Sequence, residues 1–224
     1  MERTPPGSVA EDPQSKRAVR KTLLFCGILA PLVYVGADIL AAVSWKAYSY
    51  ADQMISELMA IGAPTRPLLV RLFTVHNLLV IAFGAGLCLS AGRKRALRVT
   101  GILLAISAAV GQAALLFAPM HLRGAEKSLT DTMHIVATGA IVLLTLLSIG
   151  CGAKAGGRGF RLYSIATILV LLFCGALSGL QAPRVGANLP TPGFGILERV
   201  NIYGSMLWIL ALAAGRLRAR DPAG

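Results

Sequence analysis

Six apolar runs, each long enough to cross a bilayer, alternate with short polar segments along this chain. They extend from about Thr22 to Ser44, Pro67 to Ser90, Val99 to Met120, Thr130 to Cys151, Leu162 to Leu180 and Ile196 to Leu212. A helix needs about 20 apolar residues to span hydrocarbon, so the pattern predicts an all-α polytopic bundle of six transmembrane helices. Pro31 falls inside the first run, where a missing N–H predicts a kink. Between the first two runs, Ser49 and Asp52 have capping-box spacing, which predicts a short outer surface helix near residues 50–60. Met54, Ile55, Leu58 and Met59 would form its apolar face, lying on the membrane surface or over the bundle as a lid, and Gly62 and Pro64 end it. Gly175 and Gly179 have the GxxxG spacing that lets helix backbones approach closely. The two three-helix halves show no inverted repeat of polar positions, which weighs against a transporter built from such repeats.

The charges between the runs orient the bundle. Of the 22 Lys and Arg, 15 fall in segments that share one side: Arg3, Lys16, Arg17, Arg20 and Lys21; Arg93, Lys94, Arg95 and Arg98; Lys154, Arg158 and Arg161; Arg216, Arg218 and Arg220. By the positive-inside rule that side is cytoplasmic, with both termini on it. This predicts a multi-pass protein of a bacterial inner (plasma) membrane, with residues 1–20 a disordered basic cytoplasmic tail, 21–215 the six-helix domain and 216–224 a second cytoplasmic tail. A tail without an apolar core is no cleavable signal, so the first helix would act as its own insertion signal.

A hydrophobic fraction of 55% with only 14% charged residues excludes an ordinary soluble domain. The net charge of +12 lies in short runs beside apolar spans, where it orients helices and meets lipid headgroups; no basic face for nucleic acid is left. Cys26, Cys88, Cys151 and Cys174 lie in or at the cytoplasmic ends of apolar runs, so neither a disulfide framework nor thiol-held zinc is expected. No P-loop, GxSxG elbow or dinucleotide fingerprint occurs.

The side opposite the basic residues carries the candidate chemistry: His76, His121 and His134, with Asp38, Asp52, Glu57, Glu126, Asp131 and Glu198. An ionisable group inside hydrocarbon costs several kcal/mol unless it is paired or faces water. Asp38, Arg71, His76, Asp131, His134 and Glu198 lie within about two or three turns of that surface, and their shared depth predicts convergence on one outward-facing pocket, with Glu57 closing over it. A purely structural network, with Arg71 bridging Asp38 or Glu198, would satisfy the same residues. Asp131 and His134, spaced i and i+3, put a carboxylate and an imidazole on one helix face and are the candidate catalytic pair. His76, His121 and His134 with that carboxylate make up a zinc ligand set, although Ser128, Thr130 and Asp131 equally describe a capped helix start. His76 and His134 could instead be axial ligands of a b-type haem. Gln112 is expected to hydrogen-bond between helices, and Trp45 and Trp208 to anchor at the interface or pack toward lipid.

Two stretches, SYADQMISELMAIGAP and FAPMHLRGAEKSLTDTMH, resemble an uncharacterised bacterial membrane family, domain of unknown function 998. The likeness covers about Leu23 to Leu212 and is carried by Ser56, Glu57, Leu58, Gly62 and Pro64, then Pro119, Met120, Asp131 and His134. It implies six helices and no established activity. The family often has an acid just after the position of Pro119, where this chain has Met120 and His121. A more distant chemical likeness is to membrane hydrolases that include alkaline ceramidases, whose HxxxH pair and seventh helix this chain lacks. Together these features predict an integral membrane protein whose outward polar pocket binds a lipid or small amphipathic ligand, without a cofactor. The alternatives are a zinc-dependent hydrolase acting on lipid, with Asp131 as base or ligand orienter, and a haem protein.

Overall fold

The computed structural model describes residues 13–219. Seven helices follow in order: α1 (Pro13–Ser44), α2 (Ile55–Leu58), α3 (Arg66–Ser90), α4 (Arg95–Phe117), α5 (Leu129–Gly152), α6 (Arg158–Gly186) and α7 (Phe194–Arg218). Six of them, all but α2, are long and apolar enough to cross a membrane, as the hydropathy pattern predicts. Three boundaries differ from expectation. α1 starts at Pro13, so residues 13–20 continue the first helix instead of forming a tail; α6 runs past Leu180 to Gly186, with Pro183 inside it; and α7 runs through Arg218. The expected disordered segment 1–12 and the end of the second tail, 220–224, lie outside the described residues. The helix passes Pro31 unbroken.

The long helices form an arc in the order α5, α4, α3, α1, α7, α6, with each neighbouring pair in contact. α5 and α6, its two ends, touch little except near the basic end of the bundle, where Ile149 joins a core built around Phe83, Leu87, Leu104, Trp208 and Leu212. A second core, at the acidic end, gathers Ala37, Ala41, Ile55, Leu58, Leu69, Phe73 and Leu115. Inside a membrane, apolar side chains gain little by leaving lipid, so close approach and dispersion hold helices together. α3 and α4 show it at Gly84 and Gly101, where a Cβ on either glycine would stand 2.5 Å from the other's carbonyl oxygen.

Two expectations about packing change. Trp208 is fully buried instead of facing lipid or the interface; its Nε1 donates to Ser164 Oγ at 2.9 Å, tying α7 to α6. Gly179 has open space beside it, and only Gly175 of the GxxxG pair meets a neighbour, Asn201. With its amide oriented to satisfy its partners, Asn201 donates to Leu171 O and accepts from Gly175 N, both at 2.8 Å. A polar graft onto the α6 backbone thus replaces the glycine seam. Gln112 bridges as predicted, accepting from Asn77 Nδ2 and donating to Thr74 Oγ1, both at 3.1 Å.

Candidate functional site

The polar residues of the acidic end are brought together by loops as much as by helices. Asp38, in the last two turns of α1, is fully buried and faces Arg199, in the second turn of α7. Arg199 Nε donates to Asp38 Oδ2 at 2.8 Å and Nη2 to Oδ1 at 2.9 Å, a bidentate fork. Its remaining N–H groups reach Tyr48 Oη at 2.8 Å and the backbone carbonyls of Tyr50 and Gly195 at 2.7 and 3.2 Å. Tyr203, one turn further along α7, donates its hydroxyl to Asp38 Oδ2 at 2.6 Å, and the Tyr50 ring lies 3.5 Å from the Arg199 guanidinium carbon. Every donor of this guanidinium therefore has an acceptor. Burial pushes the Tyr48 phenol well above its ordinary range, with the carboxylates of Glu198 and Asp38 adding to the effect and Arg199 opposing it. Tyr48 stays protonated, fit to donate to the Gln53 or Met54 carbonyl.

A second ion pair lies beside the first. Glu57 is fully buried within the single turn of α2, and Arg123, from the α4–α5 connection, donates to it through Nε at 2.7 Å and Nη2 at 2.6 Å. The Glu57 carboxylate also accepts from Met54 N at 3.0 Å and Gln53 Nε2 at 3.1 Å, and its fork to Arg123 holds the Arg123 pKa above its usual value. Arg123 continues to Thr191 Oγ1 at 3.2 Å, whose hydroxyl donates to Asp52 O at 2.8 Å. Asp52 in turn accepts from Gly193 N and Ser49 Oγ, both at 2.9 Å; these donors pull its carboxyl below the usual range. Glu198 accepts the Ile55 amide. Three connections and the ends of α1 and α7 are thus knitted into one plate. Its tightest joint is Gly195, where any Cβ would overlap the carbonyl oxygens of Tyr50 and Gln53.

α2 is the short helix expected there, packed over the bundle instead of lying along a surface. It is one turn long, and all four of its residues are buried. Its apolar side chains Ile55 and Leu58 belong to the core, which pulls the segment into the bundle and carries Glu57 with it.

The histidines part company. His76 turns to α1, with Nδ1 3.0 Å from Ala30 O, and His134 turns to the end of α4, with Nδ1 3.1 Å from Ala118 O. A carbonyl can only accept, so each Nδ1 carries its proton. His121 pairs with Asp131, Nδ1 to Oδ2 at 2.9 Å, and Asp131 also accepts the backbone N–H groups of His121 and Ser128 and the Ser128 hydroxyl. Asp131 therefore caps the start of α5 and fixes the His121 tautomer, leaving Nε2 as the acceptor nitrogen. Such an oriented imidazole can act as a base or a ligand. A serine triad is not formed, because Ser128 stands on the same carboxylate and ring edge as Asp131 instead of on Nε2. Among the described residues no group of three or more His, Cys, Asp and Glu is placed to hold a metal ion.

Of the pocket residues expected from the sequence, Asp38, Glu57 and Glu198 enter the plate and Asp131 lies at its edge. His76 and His134 face separate carbonyls. Arg71 is exposed on α3, and Arg199 takes the partner expected for it. Arg123, Tyr48, Tyr203 and Thr191 were not foreseen. One of them carried a signal: Tyr203 follows Arg199 by four residues, placing phenol and guanidinium on one helix face.

A family model described as "Protein of unknown function (DUF998)" matches residues 28–215. The chain belongs to the DUF998 family. No curated protein and no solved structure matches it. In this DUF998 protein the two stretches that carried the resemblance meet: Ile61 N donates to Met120 O at 2.8 Å in a short parallel bridge between Ile61 and His121, and Glu57 pairs with Arg123 a few residues on. The plate is therefore assembled from both.

Beside the plate, an apolar groove of about 370 Å³ opens between α4 and α5, lined by Val110, Thr132, Met133, Val136, Ala137 and Ala140. Thr132 lies one turn below the start of α5 and Ala140 about three turns below, so the groove occupies the half of the bundle nearer the acidic end.

Proposed function

We propose that this DUF998 protein is a non-enzymatic membrane protein that holds a lipid or small amphipathic molecule against the α4–α5 groove, in a sensing, transport or envelope role. The observation that carries this is the groove itself, apolar along its length and ending near the polar Ser128–Asp131 turn. An acyl or isoprenoid chain suits its walls, and a polar head would then lie level with the start of α5. The charged plate serves as the rigid wall from which α4 and α5 project, since its charges are taken up by two ion pairs and by backbone and hydroxyl donors. We also propose that the acidic end faces outward from a bacterial inner membrane with both termini cytoplasmic, which rests on the segregation of Lys and Arg toward the other end. Alkaline phosphatase fused after Gly224 should be inactive and fused after Gly124 active; the reverse pattern overturns the orientation.

The functional proposal is tested by native mass spectrometry of protein purified without a His tag. Lipid that stays bound in gentle detergent should be lost from Ala137→Phe, which fills the groove, and kept by Ala153→Ser at the far end of α5. Equal retention by both variants overturns it. One zinc or haem per chain, lost in folded His76→Ala and His134→Ala proteins, would replace it with the hydrolase or haem alternative.

A further inference from the structure

The basic end holds a cavity that the foregoing does not use. It measures about 450 Å³ and is lined by Gly156, Gly157, Arg158, Arg161 and Leu162, where the α5–α6 link enters α6. Both arginines are exposed. The guanidiniums of Arg66, Arg123 and Arg199 each donate to carbonyls or carboxylates, whereas the side chains of Arg158 and Arg161 have no hydrogen-bond or ion-pair partner among the described residues. No acid is near in sequence either, for the chain has no Asp or Glu from Thr132 to Leu197, and all six acids in the described residues lie toward the opposite end of the bundle. The positive charge lining this cavity thus has no counterpart within the described protein.

We propose that this cavity binds the phosphate of an anionic glycerophospholipid from the adjacent leaflet. The two guanidiniums, three residues apart on one helix, can present forked donors to one phosphate. Lipid is favoured over free phosphate by what lies next to it. Leu162 forms part of the wall, and Ile165, Leu169 and Leu172 continue from it at three- and four-residue spacing, all between 46% and 61% exposed. That apolar track runs from the phosphate position into the hydrocarbon, where an acyl chain would follow it.

The test is native mass spectrometry of the full chain in detergent, titrated with dioleoyl phosphatidylglycerol or dioleoyl phosphatidylcholine. Phosphatidylglycerol should bind the unaltered protein more tightly than phosphatidylcholine. In R158Q/R161Q its affinity should fall about 25-fold, the product of about fivefold per basic side chain at a lipid surface. R93Q/R95Q removes the same charge from the exposed α3–α4 link and the first residue of α4 and should leave the affinity within about twofold. Should R158Q/R161Q fail to fold, Gly157→Glu serves, since nothing lies within 4 Å of a Cβ there; its carboxylate should occupy the guanidiniums and abolish the preference. Equal losses in R158Q/R161Q and R93Q/R95Q would overturn the site in favour of diffuse attraction. Displacement of the lipid by millimolar inorganic phosphate would overturn lipid as its ligand.

Discussion

The two ends of this bundle handle charge in opposite ways. At the acidic end, Asp38 with Arg199 and Glu57 with Arg123 are buried or half-buried and fork-bonded; a hydroxyl and backbone carbonyls take up the remaining donors of Arg199, and Thr191 accepts a further bond from Arg123. At the basic end, the helices close over apolar side chains around Trp208, and Arg158 and Arg161 stand exposed around an open cavity. The lesson concerns where function can be sought. A guanidinium whose donors all have protein acceptors, as those of Arg199 do, has nothing left for a ligand, so a buried charge at this end does not by itself mark a binding site. The groove and the cavity lie beside the plate and opposite it.

The contrast can be broken most sharply at Asp38. Removing one member of a buried fork leaves the other charge desolvated, at about 3–5 kcal/mol. Arg199→Met should therefore lower stability by that much in reversible detergent unfolding, while the double variant Asp38→Leu/Arg199→Met recovers a large part. Arg158→Met at the basic end should change stability by less than about 0.5 kcal/mol. A smaller loss, about 1–3 kcal/mol from overpacking, is expected for Gly195→Ala, where α7 meets the 50–53 loop. Gly193→Ala, at φ +72° but with free space beside it, should cost about 1 kcal/mol.

The smallest effect is a pH dependence. Asp52 has its carboxyl lowered by Gly193 N–H and Ser49 hydroxyl. Its contribution is thus fully present above the ordinary carboxylate pKa of about 4 and is lost as pH falls through the lowered folded value. Melting temperature followed from pH 6 to pH 2.5 should drop more steeply for the unaltered protein than for Asp52→Asn. Parallel curves would show that the Asp52 contacts do not couple the α6–α7 connection to the plate.

Much of the fold was legible because membrane-spanning helices must satisfy their own backbone; run length alone therefore located six helices, although α1 extends back to Pro13 and α6 and α7 run on past Leu180 and Leu212 to Gly186 and Arg218. The depth of Asp38 likewise showed that it needs a partner. Which partner was not legible: Arg71 and Arg199 both lie about 8 Å from their helix ends at 1.5 Å per residue, and only packing reveals that Arg71 points away from the buried face of α3 containing Leu69, Phe73 and His76. The histidines were misleading for the same reason, since sequence gives depth along a helix but not direction around the bundle. Arg123 was hidden differently, because it enters the plate from a loop whose path depends on the Ile61–Met120 bridge. The capping box at Ser128 and Asp131 was readable because its contacts are local.

The most direct measurement of the central claim, that the charges of the acidic end are committed to one another, is a double-mutant cycle on Asp38→Asn and Arg199→Gln, read by reversible unfolding in one detergent. The single variants should each be strongly destabilised and the double variant much less than their sum, giving a coupling of about 2–3 kcal/mol. Additive losses, with no coupling between the two residues, would contradict the claim and return both side chains to the list of groups free to meet a ligand.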